Sequence, residues 1–122
     1  MEAKEQGVRN SKIFVFPDVV AYVPNSVIIK TILKNLKGDI KAFSIDSGQV
    51  LEEKSYPFDT MVQVIDGEAE VTIQEISSTL NKGEAIIIPA YSSNSFKANE
   101  RFKMILTVLK SGARMQVDSP DS

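Results

Sequence analysis

The apolar residues of this chain recur in short runs with a spacing of two, and turn-forming residues break the runs apart. Successive side chains of an extended strand point to opposite faces, so runs of this kind read as strands with one buried side. Residues 68–74 alternate cleanly: Ala69, Val71 and Ile73 share one face, and Glu68, Glu70, Thr72 and Gln74 the other. Residues 101–108 repeat the pattern, setting Phe102, Met104, Leu106 and Val108 against Arg101, Lys103, Ile105 and Thr107. No segment sustains the period of an amphipathic helix.

The same reading predicts strands over residues 12–16, 26–34 and 39–45, divided by Pro17, by Pro24-Asn25 and by the stretch from Leu36 to Gly38. Asp66-Gly67 is a strong hairpin signal and predicts a tight turn between Val64-Ile65 and the strand that starts at Glu68. Asn81-Lys82-Gly83 predicts another turn. Ala85 to Ile88 then reads as a strand apolar on both faces, ended by Pro89. Turn signals at intervals of about 8–12 residues favour a β-sandwich or jelly-roll barrel. The polar ends, residues 1–11 and 111–122, read as flexible, loosely attached segments flanking one barrel domain over residues 12–110.

A length of 122 residues suits one domain with one core. The chain contains no cysteine and no histidine. Disulfides, thiolate chemistry and histidine-based nucleophile systems are therefore excluded, and the commonest transition-metal ligand is absent. A net charge of −2 leaves no basic field for nucleic acid or anionic lipid. With a polar start and no long apolar run, the expected location is the cytoplasm, without a secretory signal or membrane span.

Two stretches resemble the paired motifs of the cupin family: GQVLEEKSYPFDTMVQVIDG from Gly48 to Gly67, and GEAIIIPAYSSNSFKA from Gly83 to Ala98. The glycines, Pro89 and the apolar alternation carry the likeness. It implies an all-β, cupin-type double-stranded β-helix, a jelly-roll barrel of the RmlC-like kind. Many cupins hold a metal with three histidines and a glutamate. This chain has Lys54, Tyr56, Thr60 and Asn94 at those positions, and Tyr91 at a glycine of the second motif. A charged amine, a phenol, a hydroxyl and an amide are poor ligands for first-row divalent ions, so the resemblance implies a barrel without metal or other cofactor.

By the resemblance these side chains face the interior, with Lys54 and Tyr56 on one strand face and Phe96 flooring the cavity on the face of Asn94. The candidate ligand-binding residues are thus Lys54, Tyr56, Thr60, Asn94, Phe96 and Tyr91. Lys54 has three readings: an anchor for an anionic metabolite, a Schiff-base amine, or a surface cation paired with Asp59 or Glu52. For Thr60 and Tyr91 the plain alternatives are strand filling and capping of the barrel end. The leading function is a metal-free small-molecule-binding barrel. A metal-independent isomerase or lyase using Lys54 or Tyr56, and a filled barrel acting through protein contacts, remain open. Strands apolar on both faces, among them residues 27–33, 61–65 and 102–109, predict an outer surface that needs cover, hence a homodimer.

Overall fold

The computed structural model describes residues 8–53 and 55–110. Eight strands follow one another: β1 (Val27–Asn35), β2 (Gly38–Ile45), β3 (Val50–Glu53), β4 (Thr60–Ile73), β5 (Ile76–Asn81), β6 (Ala85–Ile88), β7 (Asn94–Lys97) and β8 (Phe102–Leu109). One turn of 3-10 helix at Phe16–Asp18 precedes them. All pairings are antiparallel, in the order β1-β2-β8-β4-β7-β3, with β5 and β6 added along β4.

Strand β4 organises the barrel because it belongs to both of its halves. Its first part pairs with β8 from Thr60 to Gly67 and with β6 from Thr60 to Gln63. Its second part pairs with β5 from Glu68 and with β7 from Glu70. The inward-facing residues of both halves meet in one core: Phe43, Ile45, Val62, Val64, Met104 and Leu106 from one, Ala69, Val71, Leu80 and Phe96 from the other. This is the single-domain jelly-roll that the resemblance implies, one of the two architectures the alternating pattern favours.

Asp66-Gly67 does not turn the chain. The strand runs straight through it, and the ladder to β8 slips between Val64 and Asp66, which makes the dipeptide part of a β-bulge. Gly67 has φ +76°, and a Cβ at that position would overlap the Arg101 carbonyl oxygen, with the Phe102 Cα 2.9 Å away. The left-handed conformation that suits a hairpin also suits a bulge, so the local signal had two solutions. The real hairpin joins β4 to β5 at Gln74-Glu75, with φ 50° and 72°.

Residues 12–15 form no strand, contrary to the expectation, and Phe16 opens the 3-10 turn instead. This N-terminal segment nevertheless has a packing role. Val19 and Val20 bury themselves against Ala42 and Ile105, with Val8, Ile28, Ile32, Ile40 and Ile65 around them. Ser44 Oγ donates to the Ala21 carbonyl at 2.7 Å and Lys103 Nζ to the Pro17 carbonyl at 2.6 Å. The outer face of the β2-β8 sheet is thus partly covered by the chain itself, Val8 included, although the ends were expected to be loose from residue 11 back. Residues 1–7 and 111–122 lie outside the described residues.

A neighbouring outer row is covered only at Ile40. Register aligns Leu33 with Ile40, Ile40 with Thr107, Thr107 with Met61 and Met61 with Ile87, a line across five strands. Leu33, Met61 and Ile87 on it are exposed. Among the described residues no helix is long and apolar enough to cross a membrane.

Candidate functional site

The first residue of β4 and the first residue of β7 come together at one end of the barrel. Thr60 is buried at 4% exposure, and its register partners are Ile88 on β6 and Val108 on β8. Asn94 pairs with Ile73 on β4 and Glu53 on β3. The two motifs read from the sequence are joined directly: the Gly48 N–H donates to the Ala98 carbonyl at 2.7 Å, and the Ala98 N–H to the Gln49 carbonyl at 3.0 Å.

Between these strands lies a small, partly open cavity of about 10 Å³, lined by Tyr56, Phe58, Thr60, Ile88, Pro89, Ser92, Asn94 and Leu106. Its walls mix apolar side chains with an amide, a phenol and two hydroxyls. Space of that size is at the lower limit for one water molecule, about 10–15 Å³. Asn94 Nδ2 donates to the Ser92 carbonyl at 3.2 Å, which sets the orientation of the amide. Its Oδ1 is buried and has no hydrogen-bond partner among the described residues.

The segment before β4 forms the rim. The Tyr91 N–H donates to the Tyr56 carbonyl at 2.6 Å, and the Ala90 N–H to Asp59 Oδ1 at 2.9 Å. Asp59 is thereby engaged in holding the rim to the turn after β6. Asn94 also lines an open groove of about 320 Å³ with Glu52, Thr72, Gln74, Glu75, Ser93 and Ser95. Glu52, Ser95 and Thr72 stand in one row across β3, β7 and β4, and Thr72 Oγ1 lies 2.8 Å from Ser77 Oγ on β5.

Of the six candidates, Tyr56, Thr60 and Asn94 share the cavity wall. Lys54 lies outside the described residues. Tyr56 does not sit on a strand, so the expected strand geometry does not apply to it. Phe96 is fully buried on the face of Asn94, yet it packs in the core and does not border the cavity. Tyr91 is 73% exposed with φ 66°, outside the cavity wall: the left-handed turn swings it outward. Ser92, 3% exposed, is a wall residue that stands outside the six candidates. Its proximity to Asn94 was the available signal.

Among the described residues no group of three or more histidine, cysteine or acidic side chains can hold a metal ion. The neutral donors of Tyr56, Thr60 and Asn94 do not fit the metal that the cupin pattern implies.

Comparison of the fold with solved structures finds close likeness. A conserved protein of unknown function from Streptococcus pyogenes superposes with TM-score 0.81 at 29% identity, over 88% of this chain and 94% of that one. A cupin superfamily protein from Desulfitobacterium hafniense gives 0.80 at 21% identity, over 89% and 100%. A cupin 2 conserved barrel domain protein from Leptotrichia buccalis gives 0.77 at 28%, over 80% of this chain and 47% of that one, so the chain spans about half of that protein's length. No family sequence model and no curated protein matches the chain significantly.

Proposed function

We propose, with the cupin fold as premise, that this chain is a small-molecule-binding barrel that works without a metal, its ligand lying in the groove at Asn94. The observation that carries the reading is the position of Asn94. It belongs both to an open groove of about 320 Å³ and to the polar cavity behind it. A volume above about 300 Å³ is within the range of small-molecule sites. Glu52 and Glu75 on the groove disfavour the anionic metabolite expected from Lys54 and favour a neutral or cationic one.

A thermal-shift screen with metabolites, repeated on Ser95→Arg, tests this: a stabilising compound whose effect disappears in the variant supports it. A second reading, a filled barrel acting through protein contacts, is favoured by the cavity volume of about 10 Å³. It predicts no shift with any metabolite. Elemental analysis of the purified protein is expected to give no stoichiometric iron, manganese, nickel or zinc on either reading, and any of them would contradict both. The exposed Leu33, Met61 and Ile87 on the outer surface support homodimerisation as part of the proposal.

A further inference from the structure

We infer that the cavity behind Asn94 is a hydrogen-bond socket for a single donor of water size. In the ligand-free protein one ordered water fills it, donating to Asn94 Oδ1. When a ligand lies in the groove, a hydroxyl or ammonium group takes that water's place, a part of the inference that rests on the proposed function.

The chemistry of the wall leads here. Nδ2 of Asn94 is committed to the Ser92 carbonyl, so the amide presents its oxygen, an acceptor that is buried and unpartnered among the described residues. A buried acceptor left in that state is destabilised until a donor reaches it. Thr60 and Ser92 are each more than nine-tenths buried and line the same cavity, and a hydroxyl can donate or accept. One water therefore finds three polar neighbours at the wall, within the two to four that a buried water ordinarily uses.

Polarity sets what is refused. A carboxylate offers only lone pairs and would set them against Asn94 Oδ1. A divalent ion would exchange its hydration shell for neutral oxygens in a cavity of about 10 Å³, with no carboxylate among the described residues of its wall to offset its desolvation. The positions that resemble a cupin metal site thus form a socket for a neutral or singly charged donor.

Two measurements test this. In a high-resolution crystal structure of the wild-type protein, and by water–protein cross-relaxation in solution, one long-lived water next to the Asn94 amide is expected. In Asn94→Leu that water is lost. Should this variant not fold, Thr60→Val, nearly the same shape without the hydroxyl, is expected to show reduced occupancy. Titration with ammonium chloride against sodium formate at matched ionic strength is expected to shift the Asn94 side-chain signals with ammonium alone. A dry cavity, an ion held by Tyr56, Thr60 and Asn94, a shift with formate, or no shift with ammonium would overturn the inference. If the water is found and no metabolite binds, the proposed function falls and the resident water stands. If a metabolite binds but the cavity is dry, the socket falls alone.

Discussion

The Tyr22 hydroxyl donates to Asp66 Oδ2 at 2.6 Å, tying the N-terminal cover to the residue at which β4 slips register against β8. The Arg101 guanidinium lies 4.3 Å from the centre of the Tyr22 ring, and Lys103 Nζ lies 4.9 Å from it. A bulge that disrupts the ladder is thus braced by a side chain from outside the sheet.

Removing that brace tests it. Tyr22→Phe is expected to cost about 1–2 kcal/mol in urea unfolding, the worth of a partly buried bond to a charged acceptor. Desolvation, followed by the bond to Asp66 and its negative charge, pushes the Tyr22 phenol well above its ordinary value of 10.0. The folded state therefore holds the proton more tightly than the unfolded one. This contribution is complete below pH 10 and is lost as pH rises beyond it. The wild-type minus Tyr22→Phe difference in phenolate absorbance is expected only above the usual tyrosine range.

At Gly67 two effects act together, positive φ and a clash with backbone. Gly67→Ala is expected to destabilise by about 2 kcal/mol or more. Gly83 has φ +89° but open space around it, so Gly83→Ala carries only the conformational cost of about 1 kcal/mol. Equal losses in chemical denaturation would refute the clash at the bulge.

Asp39, 7% exposed at the start of β2, pairs with Lys110 at 2.9 Å. The hydrogen bond from Lys110 is the main cause that holds its carboxyl below the ordinary range, with the charges of Lys110, Lys34 and Lys41 adding to it against desolvation. A lowered folded-state value stabilises above the ordinary carboxylate range and is lost as pH falls through the folded-state value. Asp39→Asn is expected to flatten that part of the acid limb of a stability-versus-pH curve. An unchanged acid limb counts against the pair.

Light scattering at micromolar concentration is expected to give twice the chain mass of 13.5 kDa. Met61→Glu, at the middle of the outer row, is expected to return the monomer mass without loss of the β spectrum, since Met61 is exposed in the single chain. A monomeric wild type would contradict homodimerisation.

Alternation made β2, the second part of β4 and β8 legible, because a two-residue period is a local property that burial on one face imposes on each strand separately. Gly83 and Pro89 likewise marked true strand limits. The Gln74-Glu75 turn was invisible because neither residue announces positive φ. The register Ile73 to Ile76 forces it. Residues 12–16 carried apolar character but no partner, and a strand exists only where another backbone accepts its hydrogen bonds.

The sequence by itself determined an all-β chain without histidine or cysteine, since those facts follow from period and residue type, and the barrel came from the motif resemblance. Tertiary structure alone decided that Asp66-Gly67 is a bulge, that Thr60, Ser92 and Asn94 meet while Phe96 and Tyr91 stand apart, and that the space between them measures about 10 Å³. The reason is that cavity size and side-chain meeting depend on the register of strands distant in sequence, and a one-residue slip sends a side chain to the other face.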